Sequence, residues 1–524
     1  MTRVVAILCR WLRVAPLLGW LLLADPVAAA PPASTWLDAS GRPNASARDA
    51  LQLLAEAPAD GLVAQDYQAR ELALQAAALS RAPEAAAPTA QAFERALNAA
   101  MQRFLHDLHR GRVDPRSLGF RVEQRESEVP DFAALLHAAA ADLRLPQAAA
   151  DLRPRLRQYG KLREALARYR ALAADTSSGP LPTIAPARSL KTGDAYTGAA
   201  ALQRRLAALG DLPVDAPPPG DRYDAALVDG VKRFQVRHGL AADGALGSAT
   251  LAALNVPLAQ RVQQLELALE RLRWLPDLGG QPFIGINIPM FRLWAWDPAP
   301  PAAQLIDMGV VVGRALNTQT PVLLEQMRYL VFRPYWNVPR SIVRNEVLPA
   351  LARDPGYLKR HDMEIVRGAG DTTQPVEASS SENLALLRQG VLRVRQRPGP
   401  QNSLGLVKFI FPNDANVYLH DTPATQLFGR ARRDFSHGCV RVERPGALAQ
   451  WVLRDQPKWT RERIEAAMAG PASLRVDLVR PLPVILFYVT AMVMPADPSL
   501  RFAQDIYGHD ARLVRALANR RVGP

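Results

Sequence analysis

The sequence holds two cysteines in 524 residues, Cys9 and Cys439, and only six lysines among 64 basic residues. Cys9 falls in an apolar stretch at the N-terminus, so the rest of the chain cannot close an internal disulfide. Long apolar runs are also missing: Val14 to Ala24 and Pro483 to Met494 both stop short of the ~20 residues that a membrane-spanning helix needs. There is no glycine-rich phosphate loop, no nucleic-acid-binding signature and no basic run interleaved with aromatics. The formal charge of +14 therefore does not point to nucleic acid. An anionic surface or a carboxylate-rich substrate is left, because the planar fork of arginine suits carboxylates, although most of these arginines read as solvated surface. Hydrophobic content of 48% excludes a mainly disordered chain, and the length allows about three domains.

At the N-terminus, Arg3, Arg10 and Arg13 precede the apolar run, and Val27-Ala28-Ala29-Ala30 supplies small residues at a cleavage spacing. Residues 1–29 read as a signal peptide and the mature protein as periplasmic, with an uncleaved inner-membrane anchor as the alternative. Lipidation of Cys9 is disfavoured because this cysteine precedes the run instead of following it. In an exported protein a lone thiol such as Cys439 points to chemistry.

The fold class expected is α+β and multidomain. Residues 34–186 form a helical scaffold, with Phe93, Leu97, Met101, Leu105 and Leu108 at helical spacing and a linker from Asp175 to Pro186. His106 and His109 stand one turn apart without a matching third ligand, so a packing role is expected. Residues 196–256 form a small three-helix unit. Residues 277–524 are β-rich, with Phe283 to Ile288 and Arg292 to Trp296 as a strand pair and Pro483 to Met494 as a buried strand. Helical spacing between Ile342 and Leu358 marks a lid insertion at about 340–402.

The chemistry concentrates in two segments. Val407 to Phe411 and Asn416 to His420 read as strands around a Pro412-Asn413-Asp414 turn, and alternation puts Tyr418 and His420 on one face. If Cys439 to Val442 is extended, Cys439 and Arg441 share a face too. A cysteine attacks as thiolate, whose ordinary pKa of about 8.5 calls for help, and His420 is the candidate base or ion-pair partner. Gly438 allows a turn that aims the backbone amides of His437, Gly438 and Cys439 at a developing oxyanion. Arg441, Tyr418, Trp336 and Ser436 are the candidate substrate contacts, Arg441 having an ordinary ion pair as its alternative. Zinc held by His420, His437 and Cys439 lacks a fourth ligand and a zinc-type spacing, so no metal and no cofactor is expected.

His420 followed by Ser436-His437-Gly438-Cys439-Val440-Arg441 resembles the signature of the L,D-transpeptidase (YkuD-type) catalytic domain. Arg271 to Pro276, Trp336-Asn337-Val338-Pro339, Arg353 to Leu358 and Asp505 to Asp510 place the resemblance in its large, periplasmic, lid-bearing branch; Gly111 to Pro115 extends it into the helical front. Arg397 departs from that pattern, where relatives often carry proline. Val231 to Thr250, with Phe234-Gln235, Gly239-Leu240, Asp243-Gly244, Gly247 and Thr250 in order, resembles a peptidoglycan-binding domain. By this resemblance Cys439 is the nucleophile and His420 moves the proton. The reaction implied is a 3-3 cross-link made through a thioester, with D-alanine released from a donor tetrapeptide stem. Partners implied are peptidoglycan stem peptides, donor and acceptor, and other wall-synthesis proteins at the inner membrane; carbapenems would acylate the same cysteine. An L,D-carboxypeptidase, a ligase joining protein to the wall, and a non-catalytic peptidoglycan-binding protein are the alternatives.

Overall fold

The computed structural model describes residues 34–81, 87–122, 129–175, 179–184, 188–278, 280–298, 304–316, 318–368, 373–377, 380–495 and 497–520. The expected signal peptide lies outside them. Among the described residues, no helix is long and apolar enough to cross a membrane.

The front of the chain is helical because its apolar residues repeat at i, i+4 and i+7 or i+8. Phe93, Leu97, Met101, Leu105 and Leu108 lie along the helix Ala87–Arg110 and are at most 1% exposed, in a core shared with Trp36, Leu54, Tyr67 and Leu136. His106 and His109 sit on this helix against the Phe132 ring, His109 Nδ1 lying 3.2 Å from the Leu152 carbonyl. The helical region divides after Leu152. Helix Arg157–Ala174 packs its Tyr159, Leu162, Leu166 and Tyr169 into a second core, with the small three-helix unit and the long helix Leu258–Arg273.

In that small unit, helices Ala199–Leu209, Ala225–Arg237 and Ser248–Leu254 bury Leu202, Leu206, Val231, Phe234 and Leu254. Its motif residues act inside the fold. Gln235 is 1% exposed; its Nε2 donates to Asp243 Oδ1 and Thr250 Oγ1, and its Oε1 accepts from the Gly244 amide at 2.9 Å. Gly239, at φ +64°, terminates the middle helix.

Glu270 joins the helical front to the rest. It is fully buried, receives Arg112 Nε at 3.2 Å, Arg273 Nη1 at 3.1 Å and the Val113 amide at 3.1 Å, and has Gly111 alongside. A Cβ on Gly111 would come within 2.8 Å of Glu270 Oε1, so the Gly111-Arg112-Val113 segment is shaped by this carboxylate.

The C-terminal part opens with strands β1 (Phe283–Asn287), β2 (Arg292–Asp297), β3 (Gln304–Gly313) and β4 (Leu323–Phe332). An insertion then carries β5 (Trp336–Asn337), β6 (Met363–Arg367), β7 (Gln374–Val376) and β8 (Arg393–Gln396), which form a sheet of their own in the order β5-β8-β6-β7. With the helices between Arg340 and Arg360 and helix Ser381–Gln389, this lid buries Ile342, Val347, Ile365, Leu387 and Val394 in a separate core. The chain returns through β9 (Val407–Ile410), β10 (Leu419–His420), β11 (Asp434–Ser436), β12 (Val440–Val442) and β13 (Leu474–Phe487). The nine strands run β11-β3-β12-β10-β9-β4-β13-β1-β2, and β2 pairs with β3 as well, closing the sheet around Ile286, Val310, Leu330, Phe409, Leu419, Val440 and Val484. The expected single strand Pro483 to Met494 is two: the end of β13, then β14 (Ala491–Val493), which pairs with β15 (Leu500–Phe502) against the small helical unit.

Candidate active site

Three adjacent strands put the chemistry together. In the parallel pair β10–β12, Leu419 faces Val440 and His420 faces Arg441; in the antiparallel pair β9–β10, His420 faces Lys408. Leu419 and Val440 are fully buried in the core, so alternation turns Tyr418, His420, Cys439 and Arg441 to the opposite side. The strands are shorter than expected. Asn413 closes the loop before β10, its Nδ2 donating to the Phe411 and Val417 carbonyls at 2.7 Å each, and Cys439 sits in a bend just ahead of β12.

His420 is 4% exposed, with Nδ1 2.5 Å from the Asp421 carbonyl oxygen. A carbonyl only accepts, so Nδ1 carries the hydrogen and Nε2 keeps a free lone pair. Burial pulls the imidazole pKa down to about 3, and the positive charges of Arg441 and Lys408 act in the same direction. The ring is neutral at neutral pH.

Cys439 is half-buried, its Sγ 3.8 Å from the Asn416 carbonyl oxygen. Burial pushes the thiol up, against the Tyr418 amide, the Tyr418 hydroxyl and the charge of Arg441, which favour thiolate. No hydrogen bond joins Sγ to the His420 ring among the described residues. Both shifts favour a thiol beside a neutral imidazole over an ion pair.

The turn around the thiol is stitched from below. Gly438 has φ +115°, a conformation that residues with a Cβ resist. Its amide donates to Ser436 Oγ at 3.2 Å, Ser436 Oγ donates to the Cys439 carbonyl at 2.5 Å, and Thr320 Oγ1 donates to the Gly438 carbonyl at 2.8 Å. Thr320 is held in turn by Tyr507, which accepts from the Thr320 amide at 3.2 Å and donates to the Gly313 carbonyl at 2.5 Å.

Two expectations change here. Ser436, a candidate substrate contact, is 2% exposed and spends its hydroxyl on closing the turn. The Gly438 amide is used within the turn, whereas the His437 and Cys439 amides donate to no described group and stay free for an oxyanion.

The other site residues spread out. Tyr418 lines a cleft of about 860 Å³ together with Cys439, His437, Asn416 and the lid residues Val343 and Leu387. Trp336, a candidate substrate contact, packs half-buried against the lid core, to which Val338 belongs, while Asn337 lines the cleft. Arg441 makes no ion pair among the described residues, and its Nε has no hydrogen-bond partner. His437 is exposed, with Nε2 2.8 Å from Oε1 of Glu346 in the lid.

Glu346, Thr320 and Asn416 escaped the sequence reading. Glu346 lies on a π-helical turn, Val343–Val347, just ahead of Pro349, whose missing N–H breaks the regular ladder. That proline inside a helical pattern was the available signal.

Comparison with known proteins agrees with this geometry. Residues 281–465 match the YkuD family, the L,D-transpeptidase catalytic domain; residues 31–166 match a scaffold domain; residues 197–254 match a family described as "Putative peptidoglycan binding domain". A curated protein of Haemophilus influenzae, "Putative L,D-transpeptidase", is 32% identical over 259 residues, which is 49% of this chain and 50% of that protein. The chain thus spans about half the length of the relative it matches. Residues 281–465 are thus similar to the L,D-transpeptidase catalytic domain, and residues 197–254 ahead of them to the peptidoglycan-binding family model.

Proposed function

We propose that this protein is a periplasmic cysteine acyltransferase that joins peptidoglycan stems by 3-3 cross-links. The observation that carries the reading is the placement of a thiol in an open cleft, two residues before the register partner of a neutral, Nδ1-protonated histidine on the neighbouring strand and so on the same face.

In the reaction, Cys439 Sγ leaves the Asn416 carbonyl and passes its proton to His420 Nε2 while attacking the carbonyl of the third residue of a donor tetrapeptide. The free Cys439 and His437 amides and the Tyr418 hydroxyl can receive the oxyanion. The C–N bond to the terminal D-alanine breaks, His420 returns the proton to the departing amine, and a thioester remains. The side-chain amine of the third residue on a second stem then attacks, giving its proton to His420, and the thiol is released as the new amide forms. The lid covers the cleft and limits competing water.

Water as acceptor would give an L,D-carboxypeptidase, and a protein lysine would give a wall ligase. Incubation with purified tetrapeptide muropeptide separates them: 3-3 dimers with loss of D-alanine support the reading, and tripeptide monomer alone contradicts it. The N-terminal pattern of residues 1–29 supports export; finding the chain in the cytoplasm would refute the periplasmic assignment.

A further inference from the structure

The cleft that holds Cys439 is charged with one sign. Arg340, Arg344, Arg388 and Arg393 from the lid and Lys408 from β9 line it, and among the described residues no aspartate or glutamate does. Arg340 donates to the Gly390 carbonyl at 2.8 Å, and Arg344 has only a 3.4 Å contact with its neighbour Asn345. Among the described residues, Arg388 and Arg393 have no hydrogen-bonding or ionic partner. Elsewhere in this arginine-rich chain the pattern is different. Arg153, Arg237, Arg292, Arg395 and Arg454 each meet a carboxylate at 3.0 Å or closer. Arg388 and Arg393, on a concave wall and without an ionic partner among the described residues, focus a positive potential into the cleft and make it a receptor for anions. Arginine presents a fork that takes a carboxylate through two parallel hydrogen bonds.

We infer that Arg344, Arg388 and Arg393 read the free carboxylates of a stem peptide, so that the cleft selects stems carrying carboxylates over stems in which side-branch carboxylates are converted to primary carboxamides. This rests on the proposed peptide substrate and adds its charge requirement. An amide keeps the shape of the carboxylate but loses the charge, so discrimination comes from electrostatics and not from fit. The arginines lie outside the thiol–imidazole pair, so they act on binding and leave proton transfer alone.

The test is equilibrium binding to full-length protein carrying Cys439→Ser, which removes turnover from the measurement. Two synthetic tetrapeptides are compared, identical except that one has free side-branch carboxylates and the other primary amides. About tenfold tighter binding of the carboxylate form is expected at low salt, falling with ionic strength, as is loss of that preference in Arg388→Gln/Arg393→Gln. Equal affinity for the two peptides, or no measurable binding of either, overturns the inference. Both outcomes are separate from thioester formation by the unsubstituted protein, which tests the reaction itself. An unchanged melting temperature of the double arginine variant checks that the fold is intact.

Discussion

His420 and Arg441 stand opposite each other in the parallel pair β10–β12, and the fixed charge of the arginine helps to keep the buried imidazole unprotonated. Lys408 closes the rank from the other side. As the proposed base, an imidazole flanked by two cations is weak but available at any physiological pH, because its pKa lies at about 3. Burial also pushes the thiol up. The one-proton form of the pair, which reacts, therefore persists from about pH 4 to above the ordinary thiol range.

The rate of acylation by a carbapenem should accordingly be flat between about pH 5 and 8. Arg441→Gln removes a charge that lowers the histidine pKa, so an acid limb should move upward toward the ordinary histidine range near 6.5. Stopped-flow acylation against pH reads both. An acid limb with an apparent pKa between 6 and 7 in the unsubstituted protein contradicts the account.

Thr320 and Tyr507 position the turn without touching substrate. Thr320→Val leaves the Gly438 carbonyl and the Gly313 amide without their shared hydroxyl, and a lost buried hydrogen bond costs about 1–3 kcal/mol. Acylation should slow by about tenfold because the Cys439 amide is no longer aimed, and Thr320→Ser should restore most of it. Thermal denaturation and acylation rates measured together separate the effects: a stability loss with unchanged acylation would reduce Thr320 to a packing residue.

His437 and Glu346 join the nucleophile turn to the lid through one exposed contact at 2.8 Å. Exposed pairs contribute about 0–1 kcal/mol, so Glu346→Ala should change the melting temperature little. Amide exchange at Val343–Val347 should quicken instead, since the contact restrains the lid locally. Unchanged exchange there would mean that the pair does not restrain the lid.

Three histidines are held neutral by burial. His420 lies at about 3, His509 at about 4, and His238 well below the ordinary value. Each binds its proton more readily unfolded than folded, so each favours unfolding as pH falls below about 6.5, by up to roughly 1.4 kcal/mol per pH unit until its folded pKa is reached. The melting temperature should decline between pH 7 and 5, a window in which most carboxylates stay ionised. A flat or rising profile would contradict the burial assigned to these rings.

The shared face of Tyr418, His420, Cys439 and Arg441 was legible in the sequence because a period-two pattern fixes which side chains point together, and strand register preserved that. It also disclosed the α+β architecture, since helical and strand periodicities are local. What it hid depends on packing partners. The spacing of Tyr159, Leu162, Leu166 and Tyr169 gives a helix, but only the folded chain sends it to the second core and away from the front helices. Ser436 looks like a substrate contact as sequence, because a hydroxyl can face solvent or close a turn equally well. Trp336 sits in a motif beside Asn337, yet alternation on β5 turns it, like Val338, to the lid core and leaves Asn337 to the cleft. Glu346 is far from His437 in sequence, and no local pattern announces a contact across a lid.

The central claim is that Cys439 becomes acylated with help from His420. Intact mass of the protein after incubation with a tetrapeptide muropeptide tests it most directly. A single adduct on Cys439 matching the stem less D-alanine is expected, absent in Cys439→Ser and strongly reduced in His420→Gln. No adduct on the unsubstituted protein, or one of equal yield in the His420 variant, contradicts the account.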